Sequence, residues 1–106
     1  MSLSIEHKYD TKQSTLMIHI DGEFKGINAV DFEKDIISEI RSKKAKHIVF
    51  ELSKVVYVDS AAIEFLFNCA KLCKDSGQTI KLTQPRDNIR KLLSILRVEQ
   101  IIPIEH

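Results

Sequence analysis

Chemistry in this chain would have to start at Asp59-Ser60. The pair stands where the apolar run Val55-Val56-Tyr57-Val58 gives way to residues at helical spacing. The first N–H groups of a helix have no intrahelical partners, and the helix dipole is positive at that end. A serine there can cap the helix, and it can also carry a phosphate stabilised by the same groups. Serine and aspartate are both common caps, so local sequence alone reads the spot as a cap before it reads it as a switch.

Other reactive arrangements are scarce. Gly22, Gly26 and Gly77 are the only glycines, and they form neither a phosphate loop nor a dinucleotide fingerprint. A Gly-x-Ser-x-Gly elbow and a His-Glu-x-x-His pair are missing as well. Cys69 and Cys73 lie one helical turn apart, a poor geometry for a bridge, and they read as buried reduced thiols. His7, His19, His47 and His106 show no ligand spacing, so neither a metal nor a cofactor is expected. Glu23, Asp31 and Asp35 read as a solvated face. These features predict a binding protein, not an enzyme.

The elements that must position Asp59 and Ser60 belong to one domain, 1–106. The 106 residues are 43% hydrophobic and 29% charged, which suits a compact globular fold. With 16 basic and 15 acidic side chains the net charge is +1, so no basic excess points to nucleic acid. No apolar run approaches the roughly 20 residues of a membrane span, and charges throughout Met1–Asp10 leave no secretory core. A cytoplasmic monomer or weak dimer is expected.

Leu3, Ile5 and His7 alternate with polar residues, as do Leu16, Ile18 and Ile20, which predicts an antiparallel hairpin ended by Asp21-Gly22. Asn28 is a plausible cap for a helix in which Val30, Phe32, Ile36, Ile37 and Ile40 share helical spacing, ending near Ser42-Lys43-Lys44. His47–Leu52 reads as a central strand covered on both faces. A helix follows from Ser60 to Ser76, stopped by Gly77. Ile80 and Leu82 mark another strand. Ile89, Leu92, Leu93 and Leu96 mark an amphipathic helix, and a short last strand is placed near Ile101-Ile102. The order β-β-α-β-α-β-α, followed by that short final β, predicts an α/β domain with a parallel or mixed sheet and right-handed crossovers.

The Ser60–Ser76 helix carries two apolar faces. Ile63, Leu66, Phe67, Ala70 and Cys73 form one; Ala61, Ala62, Phe65, Cys69 and Leu72 form the other. One must pack on the sheet. The second packs on a neighbouring helix or is left for a partner.

The stretch from His47 to Ala62, His-Ile-Val-Phe-Glu-Leu-Ser-Lys-Val-Val-Tyr-Val-Asp-Ser-Ala-Ala, resembles the signature segment of STAS domains. That segment is a buried strand, a short apolar passage, then Asp-Ser-Ser-Gly opening a helix. Ile20-Asp21-Gly22-Glu23, Gly77 and Gln84-Pro85 also fall where the family has matching features. The resemblance implies a single-domain STAS-like sandwich, a mixed central sheet with helices packed on it. In length it is similar to the stand-alone bacterial anti-sigma factor antagonists.

The resemblance further implies a regulatory binding protein whose partner is an anti-sigma factor, itself a serine kinase. Phosphorylation of the serine after the signature aspartate, here Ser60, ends that binding. The implied partner surface comprises Asp59, Ala61, Ala62, Phe65 and Lys25. Ala61 and Ala62 replace the family's second serine and glycine, Lys25 stands where an acidic residue is frequent, and Arg97-Val98 replaces a glycine. An alternative keeps the fold without the switch: a constitutive subunit of a signalling or lipid-transport complex, docking through Phe65 and Leu72. A receiver domain using Asp59 lacks the acidic pair for Mg²⁺. A carrier protein modified at Ser60 would be mostly helical and acidic.

Overall fold

The computed structural model describes residues 2–106. The chain runs β1 (Leu3–Asp10), β2 (Thr15–Phe24), α1 (Gly26–Arg41), β3 (His47–Val58), α2 (Ser60–Ser76), β4 (Thr79–Thr83), α3 (Asp87–Ile95), a 3₁₀ turn (Val98–Gln100) and β5 (Ile104–Glu105). The strands lie in the sheet in chain order. β1 and β2 are an antiparallel hairpin, and every later neighbour is parallel.

That order fixes where the helices sit. A right-handed crossover between parallel strands places its helix on a face set by the direction of travel across the sheet. Travel from β2 to β5 never reverses, so α1, α2 and α3 all cover the same face. A single core follows: Leu16, Ile18, Ile48, Phe50 and Leu52 from the strands meet Ile36 and Ile40 of α1, Leu66 and Cys73 of α2, and Ile89 and Leu93 of α3.

The expectation that His47–Leu52 is covered on both faces is therefore corrected. Val49 points away from the helices and stands outside that core. It is still only 4% exposed, because Met17 and Lys81 flank it on β2 and β4. Ile48, Val49 and Phe50 are all buried, but one face of the sheet is open. On that face Glu51 accepts from the Ser53 backbone N–H at 2.8 Å and meets His19 at 3.2 Å. Burial acts to raise the Glu51 pKa, but the Ser53 bonds and His19 outweigh it, and the carboxyl is held below its usual range.

Other boundaries shift for identifiable reasons. β2 continues past Gly22 to Phe24, and β3 absorbs the Val55–Val58 run by register shifts against β2 between His19/Asp21 and Gly22/Glu23. Gly22 has φ +107 there, a backbone that glycine adopts without a Cβ penalty. The last strand falls at Ile104–Glu105 instead of Ile101-Ile102. Ile102 is buried in the core just after the 3₁₀ turn, and pairing with β4 begins beyond Pro103, whose carbonyl accepts the Leu82 N–H.

Candidate functional site

β3 ends at Val58 and α2 begins at Ser60, so Asp59 is the hinge residue between them. Its backbone is extended, the geometry of an N-cap, and its N–H reaches the carbonyl of Phe24 at 3.3 Å. One side-chain oxygen, Oδ1, accepts the N–H of Ala62 at 2.8 Å. The same oxygen accepts the N–H of Gly26 at 3.0 Å. A single carboxylate therefore holds the N-termini of both α1 and α2. Both are donors without intrahelical acceptors, and the negative charge faces two positive helix ends.

The contact between the two helix starts is close. A Cβ added to Gly26 would lie 2.2 Å from the Cβ of Ala61. Glycine at 26 is thus required by packing against α2. This also explains the start of α1, which precedes the expected cap Asn28. The Gly26 N–H finds its acceptor across the fold at Asp59, and Lys25 takes the N-cap position without a side-chain bond.

Ser60 is the first residue of α2 and is exposed. Asp59, not Ser60, is the cap. Ala62 donates to the Asp59 side chain and Ile63 to the Asp59 carbonyl, which leaves the N–H groups of Ser60 and Ala61 without an acceptor among the described residues. The serine hydroxyl also has no hydrogen-bond partner among the described residues. An exposed hydroxyl beside two free N–H groups is a geometry that can bear a phosphate.

The remaining expected residues separate into two groups. Ala61 is exposed at the junction, and Lys25 sits in the adjoining loop, with Nζ 3.7 Å from Glu23 and 5.4 Å from the Tyr57 ring centre. Ala62 and Phe65 do not reach the surface. Ala62 is 0% exposed, and Phe65, 3% exposed, packs edge-on against Phe24 and Phe50. They shape the site from below. Leu72 is half-buried, in a shallow groove where α2 meets α1. Both apolar faces of α2 are thus occupied within the domain.

Sequence pattern missed the apolar rim. Ile27 is 81% exposed and Val30 61%, on one face of α1 beginning beside Gly26, and Tyr57 is 47% exposed under Lys25. Val30 shares the helical spacing of the core residues, which hid it. The signal that could have found it is that it lies about one turn after Ile27, which stands roughly opposite the buried Ala29 on the helix. Elsewhere, among the described residues, no group of three His, Cys, Asp or Glu is placed to hold a metal. Cys69 and Cys73 are buried free thiols; burial pushes the Cys73 pKa up to about 11 and Cys69 higher still. No helix among the described residues is long and apolar enough to cross a membrane.

Comparison with known proteins follows the same line. The STAS domain family model matches residues 6–106. A Thermotoga maritima protein provisionally named an anti-sigma factor antagonist is 29% identical over 77 residues, covering 73% of this chain and 68% of that protein. A crystal structure of an anti-sigma factor antagonist so named from the same organism superposes with a TM-score of 0.86 at 24% identity, over 96% of this chain and 86% of that one. The antagonist SpoIIAA in its unphosphorylated form gives a TM-score of 0.76 at 16% identity, over 97% of this chain and 87% of that one. Its phosphorylated form from Bacillus gives 0.75 at 14% identity, over 95% and 90%.

Proposed function

The chain belongs to the STAS domain family, and on that premise we propose that it acts as an anti-sigma factor antagonist whose partner binding is switched by phosphorylation of Ser60. The observation that carries this reading is the state of Ser60: an exposed helix-opening hydroxyl with no partner among the described residues, beside N–H groups equally unpaired there and an apolar rim. The partner in this reading is an anti-sigma factor that also phosphorylates the serine.

The physics of the switch is local. Phosphate adds about −1.5 to −2 charges next to Asp59, which is repulsive. The Asp59 oxygen is already committed to two N–H groups, and the N–H groups of Ser60 and Ala61 are left to donate to the phosphate oxygens. The helix end returns roughly 0.3–1 kcal/mol at an exposed site. The fold therefore tolerates the modification. Binding does not, because a partner shaped around Ile27, Val30, Tyr57 and a neutral hydroxyl would have to desolvate a dianion. Lys25, in the adjoining loop, is the cation within the site that leaves Glu23 to pair with the phosphate.

The test is calorimetric titration of the protein against the serine-kinase anti-sigma factor encoded in its source genome. Wild type and Ser60→Ala are expected to bind. Ser60→Asp is expected to fold normally and lose binding by at least about tenfold, a change of roughly 1.4 kcal/mol. Incubation with the kinase and ATP should label wild type and leave Ser60→Ala unlabelled. Equal binding by Ser60→Asp would make Ser60 a bystander and favour a constitutive subunit.

A further inference from the structure

The two edges of the sheet are finished differently. β5 is 2 residues long and directly follows Pro103, so it offers a visiting strand little to pair with. β1 is 8 residues long, contains no proline, and pairs with β2 without a register shift. Its outer side leaves backbone groups unpaired. Its side chains divide by face: Ser4, Glu6, Lys8 and Asp10 are exposed on the open side, while Ile5 and Tyr9 pack toward the helices.

Charges on an edge strand normally repel other strands. On β1 their order matches a second copy of the same strand. Two identical strands that pair antiparallel with faces aligned are related by a two-fold axis through one residue. An axis at Glu6 sets that carboxylate against its own copy. An axis at Lys8 sets the ammonium against its copy and Glu6 against Asp10. An axis at Ile5 or Tyr9 shortens the pairing toward one end of the strand. An axis at His7 pairs all of Ser4–Asp10, puts Glu6 opposite Lys8 twice, and on the helix side puts Ile5 opposite Tyr9 twice. His7 itself lies 3.7 Å from Glu39 of its own chain, and Tyr9 hydrogen-bonds the same carboxylate, so these groups keep their partners within each copy.

We propose that the β1 edge is a self-recognition surface, through which two copies pair antiparallel about an axis at His7 and continue one sheet across the dimer. His7 pairs with Ile18 of β2, roughly 20 Å along the strand from Phe24 and the Ser60 junction. The dimer leaves the Ser60 surface open and is independent of the switch.

Sedimentation velocity from about 10 µM to 1 mM chain, at pH 8 and low salt, tests it. Wild type is expected to shift from monomer to dimer across that range. Glu6→Lys and Lys8→Glu, each alone, turn two attractive cross-strand pairs repulsive and are expected to weaken dimerisation at least about tenfold. An equal mixture of these two variants should dimerise again, since each chain supplies the charge the other lacks. Should one variant fail to fold by circular dichroism, the double reversal in one chain, which restores both pairs, carries the same expectation. A wild type that stays monomeric throughout, a dimer indifferent to both reversals, or a mixture that fails to recover overturns the proposal.

Discussion

The α1/α2 helix pair is tied at both ends, with opposite chemistry. At the N-terminal ends the free backbone groups are donors, and the tie is an acceptor: Asp59 Oδ1 takes one N–H from each helix. At the other end the free groups are carbonyls, and the tie is a donor. Gln78, just past the Gly77 stop of α2, donates its side-chain amide to the carbonyl of Ile40 in α1 at 3.1 Å and to that of Ala45 at 2.8 Å. Ser76 holds the other end of that amide. The N-terminal tie is charged and lies beside the close approach of Gly26 to Ala61. The C-terminal tie is of nearly the same length and neutral. The difference teaches where this fold can accept a new negative charge: at the end where the helix starts keep spare donors, which offset the repulsion of the anionic clamp.

Removing the charged tie should have the largest effect. Asp59→Ala deletes both charge-assisted bonds and is expected to cost about 2–4 kcal/mol in urea unfolding. Asp59→Asn keeps an acceptor oxygen and should lose less than half of that. If both substitutions cost the same, the charge rather than the bridging geometry is what matters at this end.

The neutral tie should come second. Gln78→Ala takes the side-chain donor from the Ile40 and Ala45 carbonyls, of which Ile40 keeps the Lys43 N–H, and is expected to cost about 1–2 kcal/mol by the same measurement. A loss larger than that of Asp59→Ala would invert the comparison.

Gly77 separates local from tertiary capping at the C-terminal end. Its φ is +74, its N–H turns back toward Cys73 and Lys74, and nothing lies within 4 Å of an added Cβ. Gly77→Ala therefore meets only backbone strain, about 1 kcal/mol. A cost well above that would mean the Gln78 tie fails along with the turn.

The smallest effect is on dynamics. Cys69 and Cys73 are buried and their thiols hold their protons, so native alkylation at pH 8 should be slow against unfolded protein. Both lie nearer the Gln78 end of α2. Gln78→Ala should thus speed their labelling more than Asp59→Asn does. Mass spectrometry after timed alkylation reads this, and equal rates would mean the helix pair opens as one unit.

What could be read in advance divides along the same line. The Gly77 stop was legible because a left-handed helix end is a property of glycine and its immediate neighbours. Asp59 and Ser60 were legible as a helix start for the same reason. The start of α1 was not, since the acceptor for Gly26 lies at Asp59, far along the chain, and Asn28 was the best local substitute. The helical spacing of α2 showed two apolar faces but could not say that the domain uses both, which is why Phe65 was placed at the surface. Pro103 marked the last strand correctly as short, but pairing with β4 decided which residues form it.

The unreversed strand order carries one more consequence. In open α/β sheets, small ligands settle in the crevice that forms where successive crossovers leave to opposite faces. Here all crossovers lie on one face, so the carboxyl ends of β2 and β3 open onto no such cleft. They end instead in a shelf formed by two adjoining helix starts, with Ser60 on its rim. A shelf is read by the shape and charge of another macromolecule's surface, and a single phosphate changes both.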